Sequence, residues 1–486
     1  MQIVFAASEM FPFAKTGGLA DVVGALPKEI ANLGHEVAVI LPRYRSVDPS
    51  VFVMKKALDS FEISLGQDRE KVQLRVHEAG ENLTVYFIEH PAFFDRDGLY
   101  GTSQGDYADN DRRFIFFSKA VPEIVRRLGL EPDVLHCHDW QTGLVPAYLR
   151  IMYQKQGFLT KARTIFTIHN MAYQGNFPPD TLALTGFGWE EFTLHRLEYY
   201  GKLSFLKAGL IYSDVISTVS PNYAREIQTH EFGCGMDGIL CERTADLYGI
   251  LNGIDTEEWN PAADKALPSN YTASTLAKKL INKGVLQKET HLEVNPEIPL
   301  LGMVTRLVEQ KGIEFVTPIL EELKKRNIQL VILGSGDSKY HALLTGLAKK
   351  YVGQFSFNLK YDEKFSRRVY AGSDFFLMPS VFEPCGLGQM IALRYGALPI
   401  VRDVGGLSDT VTDYHENHGK GNGFVYEGST STDLLKKIDE AVKVFKNSKL
   451  WTDLQKNAMK CDFSWKSSAK HYVELYQKAR RKTALK

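Results

Sequence analysis

The sequence predicts an α/β protein built as two Rossmann-like domains facing a cleft. Short apolar runs rich in β-branched residues alternate with helix-like segments through the first half, and the same grammar repeats in the second. Between them, Asn-Gly, Trp-Asn-Pro and further proline punctuate Asn252–Pro268. At 486 residues the chain is too long for one core. The expected division is 1–251, 252–462 and a terminal piece, 463–486.

In chain order, the first half presents strands at Ile3–Ser8, Glu36–Leu41, Leu83–Glu89, Val134–His138, Thr164–His169, Val215–Val219 and Tyr248–Leu251, with a helix at Asp109–Leu128. Near-continuous apolar strands separated by helices indicate a parallel sheet covered on both faces. The second half presents strands at Leu300–Thr305, Leu330–Leu333, Phe355–Leu359, Phe375–Met378 and Leu398–Val401, and helices at Gly312–Lys325 and Ser338–Tyr351. From Ser464 to Lys486 the pattern is one charged amphipathic helix.

Charge narrows the function. Lys and Arg number 58 against 58 Asp and Glu, so no long-range field gathers nucleic acid or anionic lipid. The five cysteines (Cys137, Cys234, Cys241, Cys385, Cys461) are scattered, with no CxxC pair, which points away from disulfides and zinc and towards a reducing cytoplasm. No signal peptide or membrane span is expected.

Open α/β sheets bind ligands beyond the carboxyl ends of their strands, and the polar motifs fall there. Lys15-Thr16-Gly17-Gly18-Leu19-Ala20-Asp21 follows the first strand; its glycines admit a diphosphate to backbone N–H groups, or form only a βα turn. Arg306 and Lys311 end the first strand of the second domain, and two cations there suit a diphosphate leaving group whose charge grows as the bond to it breaks. Glu383-Pro384-Cys385-Gly386-Leu387-Gly388 sets a carboxylate and a thiol before a helix, with no base nearby in sequence to activate the thiol. Gly405-Gly406 is a further pair of the same kind. In His136-Cys137-His138-Asp139-Trp140 the two histidines share one strand face and read as packing rather than metal ligands, leaving Asp139 as the candidate. His169-Asn170 ends the next strand, close to Asp139. Asn252-Gly253 and Asp337 also fit simple turns.

Taken together, KTGGLADVVGALPK, HDWQTGLVPAYL, TIHNMAYQG, SPNYAREI, ILNGID, TRLVEQKG, FEPCGLGQM and GGLSDTV resemble the signatures of one family, the bacterial glycogen synthases and plant starch synthases, in order and spacing over nearly the whole chain. The resemblance implies a GT-B glycosyltransferase whose last helix returns to the first lobe. It implies a retaining hexosyltransferase that moves glucose from ADP-glucose to the non-reducing 4-hydroxyl of an α-1,4-glucan, with no cofactor and no metal. By matching motif positions, Arg306 and Lys311 hold the donor diphosphate, helped by Gly18 and backbone of Gly386, Leu387 and Gly388. Glu383 binds the transferred glucose, with Cys385 beside it. Asp139, His169 and Asn252 shape the glucose and acceptor side, Tyr361 stacks on the adenine, Lys15 and Asp21 complete the nucleotide pocket, and Tyr100 lies on the acceptor side.

Two departures stand out: Gly388 occupies a position where the family usually has a larger residue such as Thr or Asn, and Ile391 stands where related retaining transferases carry a second glutamate. UDP-glucose as donor, a sugar-nucleotide epimerase, a phosphorylase and a non-catalytic glucan-binding protein are the competing readings.

Overall fold

The computed structural model describes residues 1–415 and 420–482. The chain divides into two compact units: Met1–Val219 with Ala224–Ile250 and Trp465–Lys486, and Ser220–Tyr223 with Leu251–Ser464. The last four residues of the expected terminal helix lie outside the described residues; that helix runs Trp465–Arg481 and belongs to the first unit. Among the described residues no helix is long and apolar enough to cross a membrane.

The first unit is built on a nine-stranded sheet. Its strands, in spatial order, are Leu247–Gly249, Val215–Thr218, Arg163–Ile168, Val134–His138, Gln2–Ala6, Glu36–Pro42, Leu83–Glu89, Asp68–Gly80 and Lys55–Leu65. The seven from Leu247–Gly249 to Leu83–Glu89 pair in parallel. The expected parallel sheet is extended at one edge, where Lys55–Leu65 and Asp68–Gly80 form an antiparallel hairpin that was not expected. These two strands are largely polar and carry no continuous apolar run, which is why the sequence pattern hid them.

One face of this sheet is covered by the helices Gly18–Asn32 and Trp465–Arg481, packed on each other. The terminal helix is fixed by polarity as well as by apolar packing. Tyr476 Oη lies 2.9 Å from His136 Nδ1, and His136 Nε2 lies 2.6 Å from Thr167 Oγ1. All three groups are fully buried, so the two His136 nitrogens are satisfied only from within the protein, by Tyr476 and Thr167. This pairing accounts for His136 as a packing residue.

The second unit holds a six-stranded parallel sheet: Phe355–Asn358, Gln329–Leu333, Leu300–Val304, Phe375–Met378, Leu398–Arg402 and Phe424–Tyr426 in spatial order. The period-two alternation of strand side chains sorts them into two cores. Leu301, Met303, Leu330 and Ile332 pack with Leu320, Tyr340 and Leu434, whereas Leu300, Val331 and Leu333 pack with Leu286 and Val369. The expected helix Gly312–Lys325 is interrupted: α-helix at Ile313–Val316, a 3-10 turn at Thr317–Ile319, and α-helix again at Leu320–Lys325. Pro318 lacks an N–H and crowds the preceding turn, so it breaks the ladder there.

Replacing Tyr476 with Phe leaves the buried His136 nitrogen unpartnered, and the expected cost is about 1–3 kcal/mol. A lowered melting temperature checks this; an unchanged one contradicts it.

Candidate active site

In the second unit the polar residues gather at the carboxyl ends of two adjacent strands. Arg306 follows Leu300–Val304, and its exposed guanidinium has no hydrogen bond or ion pair among the described residues. Lys311 is engaged: its Nζ lies 2.5 Å from Glu383 Oε2, and Ser380 Oγ donates to the same oxygen at 2.9 Å. Glu383 is buried, so its charge depends on these partners. The segments carrying them are tied by backbone, since Val381 N donates to Gln310 O at 2.8 Å. Gly312 permits that approach. It sits at φ +69, and a Cβ there would lie 2.0 Å from Pro379 O.

The Cys385–Gly388 loop is locked against the helix Gly405–Thr410. Gly406 N donates to Glu383 O at 3.0 Å, and a Cβ on Gly406 would lie 2.2 Å from Cys385 O. The fully buried Gln389 donates from Nε2 to Cys385 O, Gly386 O and Thr410 Oγ1 at 3.0, 3.1 and 3.1 Å. Thr410 Oγ1 in turn donates to Gly406 O at 2.6 Å. Burial pushes the Cys385 thiol up to about 12, the backbone N–H of Asn252 acting against it, so the sulfur stays protonated and poorly nucleophilic at neutral pH. Asn252 is buried, and its Oδ1 has no partner among the described residues. At Gly388 a Cβ would press on Phe376 Cε1 and Met378 Sδ at 3.1 and 3.3 Å, which gives a packing reason for a residue without a side chain. Tyr361 is 54% exposed, leaving its ring open to a stacking partner.

In the first unit the loop after Gln2–Ala6 is organised by Glu9, which the sequence pattern did not single out. The buried Glu9 carboxylate accepts from Thr16 N and Thr16 Oγ1, both at 2.6 Å, and from Gly17 N at 3.2 Å. Tyr100 Oη donates to Glu9 Oε1 at 2.7 Å, so Tyr100 and the Lys15–Asp21 loop share one anchor. Gly17 and Gly18 face open space, where even a Cβ would meet nothing within 4 Å. Lys15 Nζ pairs with Asp21 Oδ1 at 2.6 Å. Burial raises the Asp21 carboxyl above its ordinary range, with Lys15 opposing.

Asp139 and His169 come together. Asp139 adopts φ +56, a left-handed backbone uncommon outside glycine, and its Oδ1 accepts from His169 N at 2.8 Å. Burial pushes its carboxyl up to about 7, against the backbone N–H groups of His169 and Asn170 that favour the charged form. His138 Nδ1 lies 3.0 Å from His169 Nε2. Among the described residues no group of three or more His, Cys, Asp or Glu is arranged to hold a metal.

Comparison with known proteins defines the class first. The starch synthase catalytic domain family matches residues 2–242, and the glycosyl transferases group 1 family matches residues 287–461. The catalytic domain of starch synthase IV from Arabidopsis thaliana, solved with ADP and acarbose, superposes with a TM-score of 0.90 at 36% identity, covering 99% of each chain. A sucrose-phosphate synthase from Thermosynechococcus elongatus, 17% identical with a TM-score of 0.60 over 98% of each chain, shares the fold alone. The protein is therefore a two-domain glycosyltransferase of the GT-B fold. Glycogen synthase of Geotalea uraniireducens is 46% identical over 479 residues, and glycogen synthase 2 of Geobacter sulfurreducens is 45% identical over 479, each alignment covering 99% of both chains. The chain belongs to the glycogen synthase and starch synthase family.

The raised Asp139 carboxyl sets a pH dependence. A folded value of about 7 against an ordinary 3.8 means that this group's stabilising contribution is full below pH 3.8 and lost as pH rises through about 7. Asp139→Asn removes that loss, so the variant gains more on the unsubstituted protein at pH 8 than at pH 4. Urea denaturation at both pH values checks the sign, and an equal difference at both contradicts it.

Proposed function

We propose that the protein transfers glucose, with retention, from ADP-glucose to the non-reducing 4-hydroxyl end of an α-1,4-glucan, without a metal or cofactor. The observation that carries this reading is the Arg306 guanidinium, unpaired among the described residues, which follows the same strand as Lys311 beside the strand that leads to Glu383. A diphosphate gains negative charge as its bond to the sugar breaks, so cations held there stabilise the transition state more than the bound donor. They supply the neutralisation that a metal ion provides in other transferases. The backbone of Gly386, Leu387 and Gly388, with Gly18 in the first unit, assists at the diphosphate.

Glu383 then binds the glucose through its hydroxyls. With Ser380 Oγ on one oxygen and its carboxylate given to the glucose hydroxyls, it serves binding rather than attack on the sugar, and the protonated Cys385 is a poor nucleophile. That leaves the departing phosphate to take the proton from the incoming 4-hydroxyl on the same face, which keeps the anomeric configuration. Asp139, His169 and Asn252 act on the glucose and acceptor side, with Tyr100 nearby on the acceptor. Tyr361 stacks on the adenine, and Lys15 and Asp21 complete the nucleotide pocket. ADP is supported as the nucleotide by its presence in the related starch synthase IV structure.

Incubation with glycogen and either ADP-glucose or UDP-glucose tests the proposal. Glucan lengthening with α-configured product and faster turnover of ADP-glucose is expected. Arg306→Ala is expected to lower kcat by about 10²–10³-fold without unfolding the protein. Faster turnover of UDP-glucose overturns the donor, and a fully active Arg306→Ala overturns the clamp.

A further inference from the structure

His138 ends the strand Val134–His138, fully buried, with its ring stacked on Phe5 at 5.6 Å between centroids and 10° between planes. Its Nδ1 lies 3.0 Å from His169 Nε2. Its Nε2 is closed off by surrounding atoms and has no hydrogen-bond partner among the described residues. The nearest imidazole, His136, with ring centroids 4.1 Å apart, has both nitrogens engaged by Tyr476 and Thr167 and offers it none.

A neutral imidazole carries one hydrogen, so the His138–His169 contact can be made in two ways. If His169 donates from Nε2, His138 must keep its own hydrogen on Nε2, where a buried N–H meets nothing. If His138 donates from Nδ1, the unpartnered Nε2 is a bare lone pair. Orphaned buried N–H groups are the rarer of the two faults. Burial holds both rings in the neutral form, His138 well below the usual histidine range and His169 down to about 3.

We infer that His138 is a positioning residue that donates from Nδ1 and fixes His169 as the tautomer with its hydrogen on Nδ1. His169 is half-buried, and its Nδ1 has no partner among the described residues. It therefore presents one fixed N–H donor whose ligand partner must be an acceptor oxygen. On the reading given under Proposed function, on which only the identity of that ligand rests, the acceptor is a hydroxyl oxygen of the donor glucose. The neighbouring Asp139, which accepts from the His169 backbone N–H, fixes the same residue by a second contact. His138 thus selects which hydroxyl orientation the site accepts, without touching substrate.

Long-range proton–nitrogen correlation spectra of the full-length protein, labelled with nitrogen-15 in histidine, test this. Comparison with His169→Gln assigns the His169 signals. A pyrrole-type Nδ1 and a pyridine-type Nε2 on His169 are expected, and the reverse pattern overturns the inference. His138→Leu is expected to blur His169 into mixed tautomers and to lower kcat about tenfold, the weight of one lost hydrogen bond. His138→Asn, whose amide can donate from the position of Nδ1, is expected to restore the Nδ1–H signal and part of kcat. A wild-type His169 spectrum in His138→Leu overturns the inference. If His138→Leu does not fold, the spectrum of the unsubstituted protein still decides. Absence of glucose transfer would remove the proposed ligand and leave the tautomer result to be judged separately.

Discussion

A carboxylate buried at the end of a strand must have its charge matched, and at Glu383 Lys311 does this. Much of the second unit's polar end follows from that pairing. Lys311 reaches Glu383 because Gly312 lets its segment press against Pro379, and the contact is held by the Val381–Gln310 backbone bond. With Lys311 committed to Glu383, Arg306 is left as a cation with no partner among the described residues. An arriving diphosphate would meet one free positive charge and one already neutralised, and its own charge competes with Glu383 for Lys311. If Glu383 binds the glucose as proposed above, its release towards a sugar hydroxyl would accompany that exchange and couple donor binding to the orientation of the sugar.

The loops around this pair depend on backbone approaches that admit no side chain. Glu383 O and Gly406 N meet at 3.0 Å only because position 406 lacks a Cβ. Gln389 and Thr410 close the remaining bonds, so the Cys385–Gly388 loop and the helix Gly405–Thr410 form one hydrogen-bonded block. Rigidity of that kind pre-orients backbone N–H groups before a ligand arrives, which is what electrostatic stabilisation of a leaving group requires. The buried thiol of Cys385 is then understood as filling: its sulfur accepts from the Asn252 backbone, and its carbonyl holds Gln389.

Leu83–Glu89, Val134–His138 and Phe375–Met378 were legible to the residue because apolar side chains dominate each. Lys55–Leu65 and Asp68–Gly80 were not, because an edge hairpin exposed to water carries alternating charge instead. Pro318 was visible, but Leu320–Lys325 behind it are strong helix formers, and the break within Gly312–Lys325 appears only in the hydrogen-bond ladder. The motifs named residues and left their partners unknown. Lys311 and Glu383 are 72 positions apart, and Glu9 meets Tyr100 across 91. His138 looked like packing because the ring it bonds to, that of His169, follows a different strand. Such pairings arise from strand adjacency, which spacing along the chain does not encode.

The exchange of Lys311 between Glu383 and the donor diphosphate is tested most directly by ADP affinity in Glu383→Gln, measured by calorimetry alongside glucose transfer. Removing the carboxylate charge frees Lys311, so ADP should bind as tightly as in the unsubstituted protein or more tightly, while transfer collapses. ADP affinity falling in step with transfer would contradict the account.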